Sequence, residues 1–194
     1  MQEAVPPGLG AMAAVIGLNE DIIKSNLDSI SNKGIVEIAN YNTPNQIVIG
    51  GEKEAVGLAQ NSLKEAGARR TIMLNVSGPF HSAMLKEAGE KLGKVLEQVE
   101  LRAFSTPYVT NVTAEYVTEP SEIKELLGRQ VYSSVKWQQS VERMIADGVD
   151  TFIEIGPGRT LTGFLKKINK NVTGLHIEKV EDLDAVVKML GEKQ

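Results

Sequence analysis

Gly10-Ala11-Met12-Ala13-Ala14-Val15-Ile16-Gly17-Leu18, running directly into Asn19-Glu20-Asp21-Ile22-Ile23, is the stretch of this 194-residue chain from which the fold is read. The first nine residues form an apolar, strand-like run. Asn19 then stands where a helix N-cap belongs, Glu20 and Asp21 supply first-turn acids, and Ile22, Ile23, Leu27 and Ile30 share one helical face. A strand leading into an amphipathic helix is therefore expected. Residues 34–39 and 46–49 read as strands, joined through the turn-forming run Asn40-Tyr41-Asn42-Thr43-Pro44-Asn45. Over residues 54–66, Ala55, Ala59, Leu63 and Ala66 recur at helical spacing with Gly67 as a C-terminal stop, and residues 71–76 make a last strand. The order βαββαβ over residues 10–76 predicts a ferredoxin-like subdomain, with residues 1–9 as a linker ahead of it.

Downstream, Met84, Leu85, Ala88, Leu92, Val95, Leu96 and Val99 form a helical stripe. A short strand is expected at 107–111 and helices at 121–132 and 135–147. Residues 151–155 run as a strand into Gly156-Pro157-Gly158 and a helix carrying Leu161, Phe164, Leu165 and Ile168, followed by a strand at 172–177 and a helix at 181–190. Residues 77–194 thus read as part of an open α/β domain. It has few strands for its helices, and a sheet lacking its central members exposes apolar faces. Strands from a separate N-terminal segment, or self-association, are expected to cover them.

Lys and Arg total 21 against 25 Asp and Glu, a net charge of −4, which argues against nucleic-acid binding. The chain has no cysteine, so disulfides, thiolate metal sites and a cysteine nucleophile are excluded, and a reducing compartment fits. Its longest apolar run, residues 11–18, is too short to span a bilayer and lacks the basic flank of a signal peptide. A cytoplasmic protein with no membrane partner is expected. Gly156-Pro157-Gly158 lacks the length and Lys-Ser/Thr of a phosphate loop, and His176 has no partner at ligand spacing, so no metal site is expected.

The chemistry concentrates in Val76-Ser77-Gly78-Pro79-Phe80-His81-Ser82-Ala83-Met84, which sets a histidine where an extended segment turns into a helix. The helix dipole there favours the neutral ring, which can accept a proton. On position alone a capping or loop-packing histidine fits equally well. The Gly-Pro-Phe-His-Ser motif, the Arg129-Gln130 pair and the Gly156-Pro157-Gly158 turn resemble those of malonyl-CoA:acyl carrier protein transacylases, and the similarity runs over essentially the whole chain.

The resemblance implies the C-terminal part of an α/β-hydrolase-like acyltransferase, with Met1 an internal methionine. The implied reaction is ping-pong transfer of malonyl from coenzyme A to the phosphopantetheine thiol of acyl carrier protein, in fatty-acid synthesis. Malonyl-CoA and the carrier protein are the implied partners; the thioester and the pantetheine arm are substrates, and no cofactor is implied. His81 takes the role of base, and the main-chain carbonyl of Gln130 that of its orienting group. Phe80 matches a residue that accompanies malonyl over methylmalonyl selectivity, or else is ordinary packing. Arg69 and Arg70 match a basic pair facing coenzyme A phosphates or the acidic carrier protein, or else a solvated turn. Asn40 and Asn42 fall in a loop like one lining the family's cleft, although turn chemistry explains them nearly as well.

No Gly-x-Ser-x-Gly nucleophile elbow occurs in these residues. Ser77 and Ser82 read as strand-end and helix-cap residues. The chain alone is therefore expected to be inactive. A non-enzymatic ferredoxin-like module that binds a carrier protein or small ligand is the competing expectation.

Overall fold

The apolar run becomes β1 (Gly10–Ile16), an inner strand of an antiparallel sheet completed by β2 (Val36–Thr43), β3 (Gln46–Glu52) and β4 (Arg70–Met73) in the order β2-β3-β1-β4. This computed structural model describes residues 4–76 and 78–191. With α1 (Glu20–Ser29) between β1 and β2 and α2 (Lys53–Glu65) between β3 and β4, the predicted βαββαβ order is observed. Asn19 caps α1, its Oδ1 accepting the Ile22 N–H at 3.0 Å. Ile23 and Leu27 of α1 and Ala55, Val56, Ala59 and Leu63 of α2 bury one sheet face, together with Ala13, Val15, Ile38, Ile47 and Ile49. Ile22, expected on that face, is 39% exposed.

The turn at residues 40–45 is corrected. β2 and β3 run on into it, leaving Pro44-Asn45 as a tight connection with Thr43 opposite Gln46. Tyr41 and Thr43 are buried, so alternation of apolar and polar residues overrides the turn propensity of the asparagines. Register shifts between Ile38 and Asn40 and between Tyr41 and Thr43 break the pairing. The first is a bulge at Ala39: Val36, Ile38 and Tyr41 pack on the helix side, whereas Ala39 joins Met12, Ala14 and Val48 on the opposite face.

That second face carries the histidine segment. Phe80 and Leu74 pack on Met12, Ala14, Ala39 and Val48. Gly10 lies so close to Pro79 that a Cβ there would stand 2.2 Å from the proline Cδ. A 3-10 turn (Ala83–Leu85) leads into α3 (Lys86–Glu97), which packs against α4 (Pro120–Gln130). Val5, within the stretch read as a linker, is buried with Leu85 and Val131. Between the helices, β5 (Tyr108–Val109) and β6 (Tyr116–Val117) form a two-stranded antiparallel ribbon. The sequence pointed only to the first of these.

The chain divides into two compact units between Ser140 and Val141, a point within α5 (Trp137–Ala146). In the second unit β7 (Thr151–Ile155) pairs in parallel with β8 (Thr173–Ile177), Thr151 opposite Thr173, with α6 (Thr160–Ile168) as the crossover and α7 (Val180–Gly191) packed on β8. Glu154 fixes the start of α6: its carboxylate accepts the N–H groups of Leu161 and Thr162 at 3.0 and 2.7 Å and the Thr162 hydroxyl at 2.6 Å. Burial works against the charge, but these three donors hold the carboxyl below its ordinary value. Among the described residues, no helix is long and apolar enough to cross a membrane.

Candidate active site

His81 lies in the turn ahead of α3, one residue before Ser82, which occupies the N-cap position of the 3-10 turn. The 3-10 turn runs without a break into α3 at Lys86, so the histidine stands where the extended segment passes into the helical one. Its backbone is left-handed, at φ 60°, a conformation that costs a non-glycine residue about 1–3 kcal/mol and persists only where neighbouring contacts hold it. Ser82 Oγ donates to the Pro79 carbonyl at 2.7 Å, closing the turn rather than capping the helix. Ser77 lies outside the described residues.

The result of that strain is a specific contact. His81 Nδ1 stands 2.9 Å from the carbonyl oxygen of Gln130. Gln130 is the last residue of α4, and a helix leaves its final carbonyls without intrahelical donors. A carbonyl only accepts, so the bond assigns the neutral ring's proton to Nδ1 and leaves the Nε2 lone pair free. The Gln130 side-chain Nε2 also lies 3.5 Å from Nδ1, but it donates to the Ser133 carbonyl at 3.2 Å. The shorter main-chain contact decides the tautomer.

Two features bring α4 to the histidine. Gly89 of α3 permits close helix approach, since a Cβ there would stand 2.5 Å from Tyr132 Cδ1 and 2.6 Å from the Gly128 carbonyl. Beyond α4 the chain is tied to β2: Tyr41 N–H donates to the Val135 carbonyl, and Val135 N–H to the Ala39 carbonyl, both at 2.8 Å. An open cleft of about 440 Å³ borders His81, with Lys24, Glu37, Tyr41, Arg129, Tyr132 and Lys136 among its lining. Lys24 is paired with Glu20 and Arg129 with Glu125. Burial, then Glu20, pushes the Tyr41 hydroxyl above its ordinary value, while the bond to Glu20 holds Lys24 protonated.

The profile of the acyl transferase domain matches residues 1–189. The chain belongs to the acyl transferase domain family. It is 43% identical over 194 residues to the malonyl CoA-acyl carrier protein transacylase of Bacillus subtilis (strain 168), covering 100% of this chain and 61% of that protein. The crystal structure of the transacylase of the same name from Clostridium perfringens ATCC 13124 superposes with a TM-score of 0.95 at 45% identity, over 100% of this chain and 61% of that one. A malonyl-transacylase in complex with its type II PKS acyl-carrier protein gives a TM-score of 0.93 at 40% identity, over 96% and 60% of the two chains. The chain thus spans 61% of the length of the Bacillus relative.

The residues named from sequence do not all converge. His81 and Gln130 meet. Phe80 is half-buried and packs in two apolar clusters, one with Met12 and Val48 and one with Leu85 and Val131. Asn40 and Asn42 are on β2, not in a loop. Asn40 stands opposite Val48 and so shares the sheet face against which the histidine segment packs. Arg69 and Arg70 are exposed at the other end of the sheet: Arg70 pairs with Ile16, whereas Pro79 abuts Gly10. Six residues of β1 separate those ends, about 20 Å at 3.3 Å per residue. In the second unit, the His176 ring is 6% exposed, and neither nitrogen has a hydrogen-bond partner among the described residues. No group of three or more His, Cys, Asp or Glu among those residues could hold a metal ion. Sequence reasoning missed Glu37, Tyr41 and Tyr132: Glu37 reaches the histidine turn by ordinary strand alternation, Tyr41 lies beyond the β2 bulge, and Tyr132 sits at the α3–α4 crossing. Neither the bulge nor the crossing has a sequence signature of its own.

Proposed function

We propose that this chain supplies the general base for transfer of a malonyl group from coenzyme A to an acyl carrier protein, acting with a serine nucleophile carried by residues outside these 194. The observation that carries the reading is the 2.9 Å contact of His81 Nδ1 with the Gln130 carbonyl, which leaves Nε2 as the proton acceptor. The names of the relatives supply malonyl-CoA and the carrier protein as substrates. In the first half-reaction Nε2 takes the serine proton as the hydroxyl attacks the thioester carbonyl, and returns it to the departing coenzyme A thiolate. In the second it takes the proton of the pantetheine thiol, which attacks the malonyl-serine ester, and returns it to the departing serine oxygen. A main-chain carbonyl orients the ring without adding a buried charge, where a protease triad uses a carboxylate. Fatty-acid synthesis and a cytoplasmic location are the setting this reading implies.

The direct test is acylation. Incubated with malonyl-CoA, the chain by itself should show no stoichiometric mass increase, because no serine here stands on a Gly-x-Ser-x-Gly elbow. Mixed with a separate segment carrying the Gly-x-Ser-x-Gly elbow that this reading requires, it should transfer malonyl to holo-carrier protein. A malonyl adduct on a serine of this chain would overturn the assignment. A folded mixture that binds carrier protein yet transfers nothing would favour a non-enzymatic module.

A further inference from the structure

The Ala83 N–H opens the 3-10 segment that leads into α3 and is one of the donors that a helical start leaves without a partner of its own; the Ser82 hydroxyl, at the N-cap position, is turned back to Pro79. Glu37, 46 residues upstream, takes this donor: Ala83 N–H donates to Glu37 Oε2 at 2.7 Å, a charge-assisted bond between β2 and the histidine turn. Glu37 pairs with Gly50 on β3, and a Cβ at Gly50 would stand 3.4 Å from the Phe80 carbonyl, so the turn rests directly over this part of the sheet.

The same strand anchors the other partner of the histidine bond. Ala39 and Tyr41 hold Val135 by two main-chain hydrogen bonds, five residues beyond Gln130. β2 therefore fixes both the turn that presents Nδ1 and the segment that follows the accepting carbonyl. Most of that clamp is main chain; the bond to the histidine turn comes from a side chain. His81 holds a left-handed backbone that must be maintained by its surroundings, and the Glu37 bond is made two residues away.

We propose that Glu37 is a positioning residue for His81, holding the strained turn so that Nδ1–H meets the Gln130 carbonyl and Nε2 stays free. The functional weight of this inference rests on His81 being the base; the positioning itself is measurable without any transfer reaction. When the Glu37 bond is lost, the turn relaxes, the ring leaves the carbonyl, and the tautomer returns to the Nε2–H form that a free histidine side chain prefers.

The experiment is nitrogen-15 NMR of histidine-labelled full chain with the rings neutral, the His81 signals being assigned by their loss in His81→Gln. The native chain should show a predominantly Nδ1–H His81. Glu37→Ala should invert that to predominantly Nε2–H, Glu37→Gln should restore it because the amide oxygen accepts the same N–H, and His176 should not move in either variant. A native ring in the Nε2–H form, or an Nδ1–H form that persists in folded Glu37→Ala, would overturn the proposal. Should Glu37→Ala fail to fold, the native chain decides: the Ala83 amide must shift as carboxylates are titrated with acid, and an unresponsive amide overturns it. A tautomer that follows Glu37 in a protein without malonyl transfer would reject the functional reading alone. Transfer with a tautomer indifferent to Glu37 would reject the positioning alone.

Discussion

Gly89 on α3 and Gly128 on α4 cross so closely that a Cβ on Gly89 would stand 2.6 Å from the Gly128 carbonyl, against a backbone atom with no rotamer to move. Propensity alone favours alanine over glycine in a helix interior by about 1 kcal/mol. Overpacking a close contact typically costs about 1–3 kcal/mol. Gly89→Ala should therefore destabilise the chain, read as a lower urea midpoint with an unchanged slope. A higher midpoint would mean that this crossing is not what brings α4 up to the histidine turn.

Glu154 should carry a pH-dependent part of the second unit's stability. Its folded carboxyl lies below the ordinary glutamate value, so the stabilisation is present above the unfolded value of about 4.3 and is lost as pH falls through the lower folded value. Glu154→Gln should lower the melting temperature at neutral pH, because its three partners are all donors and an amide offers only one accepting atom. The gap between the two proteins should close as the pH is taken below about 4.3. Circular dichroism melts across that range check this, and a gap independent of pH would contradict it.

Arg69 and Arg70 stand far from His81 along the sheet, which makes encounter with the carrier protein, rather than chemistry, the step to test. Arg69→Glu with Arg70→Glu, in the chain complemented with the serine-bearing segment, should raise KM for carrier protein and flatten its salt dependence with little change in kcat. Unchanged salt dependence would return the pair to a solvated turn.

The fold of residues 10–76 was legible because the pattern there is strong on every level: an apolar run, an asparagine cap, and helices whose alanines and leucine repeat at the right spacing. What the sequence hid was the length of β2. Asn40, Asn42 and Pro44 carry turn propensity, and only the burial of Tyr41 and Thr43 against the rest of the sheet keeps the strand going. The same bulge set Asn40 on the face of the histidine segment, which no periodicity could reveal. His81 was legible as a candidate from its motif, but its left-handed backbone and the carbonyl it meets depend on α4, 49 residues away. Phe80 carried two readings, and its place between two apolar clusters now accounts for the packing one.

The most direct test of the central claim compares His81→Ala with Gln130→Ala in malonyl transfer to holo-acyl carrier protein, using the complemented chain. His81→Ala should lose about 100- to 10,000-fold, as for removal of a general base. Gln130→Ala should lose less than about tenfold, because the main-chain carbonyl that orients the ring survives the substitution. Equal losses in the two variants, or His81→Ala at native rate, would contradict that claim.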